Sequence, residues 1–307
     1  MHEHFDLIIV GAGPAGLTAA IYARRAGRSV LVLERSSIGG QIASAPKVEN
    51  YPGFSAISGA ELAERLYTQA EDLGARIELE TVTSIVPGPA HTVTTDYGTY
   101  TAAAVILATG TVHRTLGLPG EDILSGISYC AVCDGAFYQG RDVAVCGGGS
   151  SALQESLFLS DLCRHVTLIH RRQEFRGDPI LLEALQARSN VTILPDTRIT
   201  ALESRNGTLT GLLLEHAASG TQSHLDVDGL FVAVGQQPDT TLSQALGIAG
   251  EDGYIPAGED CRTPIGGIFT AGDCRTKDIR QLTTACADGA SAALAACQWC
   301  TRQSREV

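Results

Sequence analysis

Short apolar runs that end in glycine recur along the chain, and they predict the buried strands of a parallel sheet. The first run, residues 7–10, leads into the glycines of GAGPAG, a helix-like segment and a second strand, SVLVLE. The same order returns in RDVAVCGGGSSALQESLFLS, which is followed by the strand HVTLIH. Strand, glycine-rich turn, helix and strand make up a dinucleotide-binding unit, so the pattern predicts an internal repeat of two such units.

The glycines of the first turn each have a stereochemical reason. In order, they allow a tight turn, the close approach of the backbone to a pyrophosphate, and close packing of helix on strand. The helix N-terminus then presents free N–H groups to the phosphates. Glu34 lies 18 residues beyond Gly16, where a carboxylate can accept hydrogen bonds from ribose hydroxyls. The predicted loop residues are Gly11, Gly13, Pro14, Ala15 and Gly16.

The second turn repeats this frame, but its strand ends in the opposite charge. Gly147, Gly149 and Ala152 stand where the three glycines stood, and two serines after them are able to cap the helix. His170 lies 18 residues beyond Ala152 and opens a basic segment. A guanidinium binds a 2′-phosphate that an acid would repel, which favours NADPH over NADH, although a solvated basic turn is the simpler alternative. The serines and arginines concerned are Ser150, Ser151, Arg171, Arg172 and Arg176.

The segment SYCAVCDGAF places Cys130 and Cys133 three positions apart, directly before Asp134. Zinc needs four ligands, and 163 residues separate this pair from the other CxxC, Cys297 and Cys300. A compact zinc module has roughly 15–20 residues there. A disulfide across two residues restrains little chain entropy and so stabilises little. We therefore predict that Cys130 and Cys133 form a redox-active pair and that no metal is bound. For Cys297 and Cys300, a packed helix is favoured over a redox-active tail.

Two nucleotide sites and a thiol pair together suggest FAD in the first unit, because a flavin accepts a hydride and passes electrons to sulfur. Further buried runs at 104–110 and 229–239 contain glycine near their ends, and a third, at 266–274, carries Asp273. The small-residue segment that follows predicts a helix from near Gln281, whose positive end suits the negative charge of a reduced flavin. An ordinary packing helix explains that composition equally well.

Length and composition limit the alternatives. With 307 residues the chain has room for two domains, and its net charge of −12 argues against a nucleic-acid or anionic-membrane partner. No signal peptide fits before the first apolar run, and no stretch is long enough to cross a membrane, so a cytoplasmic protein is expected. Structural disulfides are rare there, and most of the nine cysteines are expected to be buried thiols.

Seven motifs in this order resemble the low-molecular-weight, bacterial-type thioredoxin reductases over essentially the whole chain: GAGPAG, SIGGQI, KVENYPGF, CAVCDG, GGGSSA, HRRQEFR and TAGDCRTKDIRQLTTACADGA. The resemblance implies an α/β homodimer with two Rossmann-like domains, each built in three layers around a mostly parallel sheet. It places the FAD-binding domain at 1–113 and 243–307, with the NADPH-binding domain inserted at 114–242. Residues 113–117 and 239–243 would form the connecting strands.

Matching the motifs assigns further residues to the two cofactors. For FAD they are Gly39, Gly40, Gln41, Asn50, Val82, Thr109, Gly110, Asp273, Arg280, Gln281 and Leu282, besides the first glycine loop and Glu34. For NADPH they are Gly147, Gly149, Ser150, Ser151, His170, Arg171, Arg172, Arg176 and Gly235.

The resemblance also implies the path of electrons. NADPH reduces the flavin, the flavin reduces the disulfide between Cys130 and Cys133, and the dithiol reduces thioredoxin. Cys133 would face the flavin and Cys130 would attack thioredoxin. Asp134 would exchange the protons, unless it is only a turn residue before the next glycine.

Two positions depart from the family pattern, and other functions stay open. Val132 and Ala136 replace a threonine and an aromatic residue, which leaves Phe137 and Tyr138 to contact a protein substrate. The alternatives are a flavin-dependent dithiol oxidase of the same fold, a reductase of another small disulfide protein, and a non-catalytic redox sensor or interaction protein. The arginines disfavour the oxidase, which has no need of NADPH, and two nucleotide sites disfavour the sensor.

Overall fold

The computed structural model describes residues 3–45, 48 and 50–306, without the side chains of Ser44, Cys133 and residues 304–306. The strands are β1 (Glu3–Val10), β2 (Val30–Glu34), β3 (Arg76–Leu79), β4 (Val82–Val86), β5 (His91–Thr95), β6 (Thr99–Leu107), β7 (Thr111–His113), β8 (Ile127–Ser128), β9 (Asp142–Gly147), β10 (His165–Ile169), β11 (Val191–Leu194), β12 (Thr197–Arg205), β13 (Thr208–His216), β14 (Gln222–Asp226), β15 (Gly229–Ala233), β16 (Gln236–Pro238) and β17 (Ile268–Thr270). The helices are α1 (Pro14–Arg25), α2 (Gly59–Asp72), α3 (Ala131–Asp134), α4 (Ser150–Ser160), α5 (Pro179–Gln186), α6 (Thr241–Ala245) and α7 (Leu282–Glu306), with short 3-10 helices at Gly40–Ser44, Gly135–Tyr138 and Gly272–Cys274.

The chain divides into two compact units. We call them the split unit, residues 1–112 and 237–307, and the inserted unit, residues 113–236. Where the chain crosses between them, β7 pairs with β16. The connecting strands therefore lie earlier than the predicted 113–117 and 239–243. Residues 241–243 instead begin α6, and the predicted domain boundary after 242 lies farther along the chain than the observed division.

The core of the split unit is a mixed sheet in the order β3-β2-β1-β6-β5-β4, with β17 also paired to β6. Strands β1, β2, β3, β6 and β17 are parallel to one another. Strand β5 runs antiparallel to both of its neighbours, β6 and β4. All of β2 is buried, as expected for a strand covered on both faces. Helices α1 and α7 pack closely, since a Cβ added to Gly289 would lie 2.1 Å from the Ala15 carbonyl oxygen. Packing thus explains the small residues of α7.

The inserted unit contains a parallel sheet in the order β11-β10-β9-β15-β8 and a separate antiparallel sheet, β12-β13-β14. Helix α4 packs on the parallel sheet, where Leu153, Leu159 and Phe231 are fully buried together. The predicted α/β fold with mostly parallel sheets is confirmed. Within the described residues, no helix is long and apolar enough to cross a membrane.

Candidate redox and nucleotide-binding sites

The CxxC segment forms a short turn of helix in the inserted unit. Cys130 directly precedes α3 and takes part in a disulfide. The side chain of Cys133 lies outside the described residues. A disulfide sulfur does not offer the thiolate that zinc requires, so the state of Cys130 supports the redox interpretation over a zinc clip.

A hydrogen-bond network links Asp134 to the start of this turn through Ser128. The Ser128 hydroxyl lies 2.6 Å from Asp134 Oδ2, and the Cys130 N–H donates to the same hydroxyl at 3.1 Å. The Asp134 N–H donates to the Cys130 carbonyl oxygen at 3.1 Å. Asp134 is half-buried and Ser128 is buried. The sequence did not predict Ser128, and its only signal was a hydroxyl two residues before the first cysteine.

Helix α4 packs against the same turn and brings a second carboxyl to it. A Cβ added to Gly135 would lie 3.0 Å from both Leu159 and Phe158 of α4. One turn earlier on this helix, Glu155 has a buried Oε2 with no hydrogen-bond partner among the described residues. Burial raises the pKa of Glu155 to about 7, opposed by a hydrogen bond from the Ala131 backbone. Sequence analysis missed Glu155 because it reads as an ordinary helix residue.

The turn exposes apolar side chains. Phe137 is 74% exposed and Val132 is 40% exposed. Tyr138, by contrast, packs inward with its ring edge-on to Phe231, at 5.3 Å between centroids. Phe137 therefore offers the larger surface to a partner, while contact of the half-buried Tyr138 with a partner stays a prediction.

The first glycine loop has the predicted stereochemistry. Gly11 has φ +106, and a Cβ on Gly16 would lie 1.9 Å from the Gly11 carbonyl oxygen. Gly13 is the N-cap of α1 and is followed by Pro14 and Ala15. A Cβ added to Gly13 would meet no atom within 4 Å. The space in front of the helix N-terminus is thus open, as a phosphate would require.

Glu34 is buried against this loop. Its Oε2 accepts the Ala12 N–H at 2.8 Å, and its Oε1 accepts the Ser36 N–H at 3.0 Å. The Gly39 N–H also donates to the Ala12 carbonyl oxygen, at 2.8 Å. Gly39 and Gly40 both have positive φ, at +99 and +56. The glycine loop, the end of β2 and the Gly39 turn are therefore joined by hydrogen bonds.

Asp273 is the clearest sign of a missing partner in the split unit. Its Oδ1 is buried with no hydrogen-bond partner among the described residues, and burial raises its pKa. Arg280 donates to the Asp273 carbonyl oxygen at 3.3 Å and stacks on Tyr254. Asn50 Nδ2 donates to Gln281 Oε1 at 3.1 Å. A buried acceptor without a donor fits the hydroxyl groups of a dinucleotide, so these residues suit FAD.

The parallel strands bring most of these groups to one edge of the sheet. A Cβ on Gly11 would lie 2.3 Å from the Ala108 carbonyl oxygen, which follows β6, and one on Gly272 would lie 2.8 Å from Ala15 Cβ. Among the remaining predicted residues, Gln41 donates a hydrogen bond from Nε2 to the Thr111 carbonyl oxygen at 2.7 Å. The others are Thr109 and Gly110 between β6 and β7, Leu282 at the start of α7, and Val82 at the start of β4. Val82 lies half-buried in the antiparallel part of the sheet and pairs with Thr95.

The second glycine loop is equally tight, but the serines do not cap its helix. A Cβ on Gly147 would lie 2.4 Å from the Ala233 carbonyl oxygen. Gly149 is the N-cap of α4, with no side-chain cap, and Ser150 and Ser151 lie inside the first turn. The capping prediction is therefore wrong. The Ser150 hydroxyl instead accepts the Asp178 N–H at 3.1 Å.

The arginine segment is held beside this loop by backbone hydrogen bonds. The Arg176 N–H donates to the Gly148 carbonyl oxygen at 2.8 Å. His170 is buried next to Gly148, and its ring contacts Phe175 at 4.7 Å. Arg171, Arg172 and Arg176 are exposed and form no ion pair within the described residues. Gly235, with φ +104, follows β15 and accepts the Arg114 N–H at 3.0 Å.

Cys297 and Cys300 are buried thiols of α7. Their exposed fractions are 8% and 2%. Burial raises the pKa of Cys300 to about 11. A buried thiol with a high pKa is a poor nucleophile, so the predicted packing role is confirmed.

Comparison with known proteins gives a consistent result. Residues 5–289 match the pyridine nucleotide-disulphide oxidoreductases. The thioredoxin reductase of Listeria monocytogenes is 42% identical over 93% of this chain and 90% of that protein. The thioredoxin reductase of Mycolicibacterium smegmatis is 42% identical over 97% of each chain. The crystal structure of Lactococcus lactis thioredoxin reductase, 36% identical, covers 97% of this chain and 99% of its own, with a TM-score of 0.87. This chain therefore belongs to the pyridine nucleotide-disulphide oxidoreductase family.

Proposed function

We propose that this protein is an NADPH-dependent thioredoxin reductase, which carries electrons through FAD and the Cys130–Cys133 disulfide to the disulfide of thioredoxin. The observation that carries the proposal is the disulfide of Cys130 in a short turn of the unit that also holds the second glycine loop. Such a short disulfide loop suits a labile, catalytic role better than a structural one. The relatives named above support the same function.

FAD would be held in the split unit by the first glycine loop, Glu34, Asp273 and Gln281. When bound, FAD accepts a hydride equivalent and passes two electrons to a disulfide. The open space at Gly13 would accommodate the pyrophosphate, and Asp273 Oδ1, which has no partner among the described residues, would accept a hydroxyl donor. Gln281 is oriented by Asn50 at the start of α7, whose positive end favours negative charge nearby.

NADPH would bind at the second glycine loop of the inserted unit. Arg171, Arg172 and Arg176 are free to pair with the 2′-phosphate, because they are exposed and the Arg176 backbone is tied to Gly148. Charge-assisted bonds from guanidinium to phosphate are about twice as strong as neutral ones. Buried His170 supports the segment from below.

The reduced turn would then act on the protein substrate. The Cys130 thiolate attacks one sulfur of the substrate disulfide, and the other substrate sulfur leaves with a proton. Cys133 next attacks the Cys130 sulfur of the mixed disulfide, which restores the Cys130–Cys133 disulfide and releases the second substrate thiol. Asp134, linked to Ser128, would supply and recover the protons.

The exposed Phe137 and Val132 would provide the apolar part of the docking surface for thioredoxin. The proposal also includes a homodimer, which the family resemblance implies, and a location in the cytoplasm. Sedimentation of the purified protein at several concentrations measures the first of these two points.

The decisive experiment is NADPH-dependent reduction of a disulfide reagent, with and without thioredoxin. We expect thioredoxin to accelerate turnover, and Cys130→Ser to abolish it while NADPH still bleaches the flavin without oxygen. Cys163→Ser, at a buried thiol of the same unit, is the control and should retain turnover. Failure of NADPH to bleach the flavin would favour a dithiol oxidase, and bleaching without thioredoxin reduction would favour another disulfide protein as substrate.

A further inference from the structure

Glu155 is a half-buried acid that the mechanism above does not use. It lies on α4, the helix that packs against the turn after the CxxC pair through Leu159 and Phe158. Its Oε2 is buried without a hydrogen-bond partner in the described part of the chain. A carboxylate in such a place is costly, because burial disfavours the charged form of the group.

Among the described residues, the surroundings of Glu155 link it to the redox turn, and no charged side chain contributes to its pKa. The Ala131 backbone, directly after Cys130, hydrogen-bonds to its carboxyl, and Ala131 is 1% exposed. The titratable side chains described on elements packed against α4 are Asp134 on α3, Tyr138 on the 3-10 helix Gly135–Tyr138, Glu183 on α5, Asp142 and Cys146 on β9, and His165 on β10. None of these contributes to the pKa of Glu155, which burial dominates and sets at about 7.

We propose that Glu155 is a positioning residue that couples reduction of the Cys130 disulfide to uptake of a proton. The proposal rests on the redox function proposed above. Two electrons, from NADPH through the flavin or from an external dithiol, break the S–S bond and leave two sulfurs. One sulfur takes a proton, and the other, while it stays a thiolate, adds a negative charge to the turn on which α4 packs.

That new charge and the charge of Glu155 disfavour each other. Formation of the thiolate therefore draws a proton from solvent onto the Glu155 carboxyl. By reciprocity, an ionised Glu155 shifts the equilibrium from the reduced dithiol toward the disulfide. The disulfide therefore becomes harder to reduce as pH rises through the titration of Glu155. The packing of α4 on α3 and on Gly135 holds this part of the helix beside the turn.

The test compares wild-type holoprotein with Glu155→Gln, which keeps the shape and the acceptor oxygen but cannot ionise. Each protein is equilibrated with dithiothreitol at pH values well below and well above about 7, the pKa of Glu155. Acid quenching, alkylation and mass spectrometry of the CxxC peptide give the fraction reduced. We expect equal equilibrium constants at low pH, and a constant for reduction about five-fold larger in the variant at high pH.

Glu183→Gln makes the same chemical change at an exposed residue of the same unit and should follow the wild type. An infrared difference spectrum between reduced and oxidised protein should contain a protonated carboxyl band that Glu155→Gln lacks. Identical pH dependence in wild type and Glu155→Gln would overturn the inference while leaving the redox function intact. A CxxC pair that dithiothreitol cannot reduce at any pH would overturn the proposed function itself, and this inference with it.

Discussion

Three exposed arginines after β10 are proposed to set the preference for NADPH. Replacing Arg171 or Arg172 by Ala removes one charge-assisted bond to the 2′-phosphate, a loss of about 1.5–3 kcal/mol. The KM for NADPH should therefore rise about ten-fold or more for each, and the KM for NADH should barely change. Steady-state kinetics with both coenzymes measure this. Arg205→Ala, at an exposed arginine of the same unit, is the control, and an equal loss for both coenzymes would contradict the assignment.

A single buried carboxyl also predicts how stability depends on pH. Burial raises the pKa of Glu155 from 4.5 to about 7 in the folded chain, so between these values the folded chain binds more protons than the unfolded one. The free energy of unfolding contributed by this residue therefore falls as pH rises through that window. Above it, Glu155→Gln should be more stable than the wild type by about 3 kcal/mol at most.

Urea unfolding of both proteins, at a pH below the window and at one above it, measures the difference. Below the window the advantage of the variant should disappear, because both side chains are then neutral. A difference that is the same at both pH values would mean that solvent reaches the Glu155 carboxyl in the folded protein.

At the scale of elements, the first glycine loop separates two kinds of glycine. Gly16→Ala places a Cβ 1.9 Å from the Gly11 carbonyl oxygen, so it should destabilise the packing of α1 on β1 by about 1–3 kcal/mol. Gly13→Ala meets no atom within 4 Å, so it should fold normally. Its Cβ fills the space proposed for the pyrophosphate, and the purified variant should contain little flavin. Thermal unfolding measures the stability of the two variants, and the flavin-to-protein absorbance ratio measures their flavin content. Normal flavin content in Gly13→Ala would mean that the phosphates bind elsewhere.

A buried ion cluster fastens α7 to the turn after β17. Asp288 accepts two hydrogen bonds from Arg275, at 2.7 and 2.8 Å, one from Lys277 at 2.9 Å and one from the Gly272 N–H at 3.0 Å. Burial alone would raise the pKa of Asp288, but the bonds from both cations outweigh it and lower that pKa. The turn they hold contains Asp273.

Asp288→Ala leaves Arg275, which is 5% exposed, without its partner. The free energy of unfolding should fall by about 3–5 kcal/mol. Glu259→Ala removes an ion pair from the same arginine, but on a side chain that is 98% exposed, so its effect should stay within about 1 kcal/mol. Chemical denaturation of both variants gives the comparison. Similar losses in the two would mean that the buried cluster has no special role.

How far the sequence predicted these elements depends on the range of the interactions. The turns at Gly11 and Gly147 follow from consecutive residues, so pattern and spacing were sufficient. The predicted caps at Ser150 and Ser151 were wrong because α4 begins at Ser150, directly after its N-cap Gly149, and the Ser150 hydroxyl accepts an N–H from Asp178 on another loop. Glu155 could not be predicted either, since its role depends on the packing of α4 on α3, which helical periodicity does not encode.

At the scale of the whole molecule, the distribution of sites between the units predicts motion. The inserted unit carries both the CxxC turn and the proposed NADPH loop, while the split unit carries the loops proposed for FAD. Nicotinamide and disulfide must each reach one flavin, and both cannot occupy the same place at once. We therefore predict a rigid-body swing of one unit against the other, about the two connections, in every catalytic cycle.

Energy transfer between fluorophores tests this swing. Labels at Tyr97→Cys and Ile123→Cys lie one on each unit, at side chains that are both 79% exposed. Their transfer efficiency should change between the oxidised and the NADPH-reduced protein. Labels at Ile123→Cys and Ile180→Cys lie on the inserted unit alone and should not respond. Constant transfer across the units in an enzyme that still turns over would mean that no swing is needed.

The insertion of one unit into the other also sets an order of events on the ribosome. Translation completes the inserted unit at Gln236, whereas the split unit still lacks β17 beside β6 and α7 against α1. Domains generally fold as units during synthesis, so the middle of the chain can finish its core first. The N-terminal segment, although made earliest, keeps the apolar faces of β6 and α1 uncovered until the last helix emerges, and it is the part of the nascent chain most in need of a chaperone.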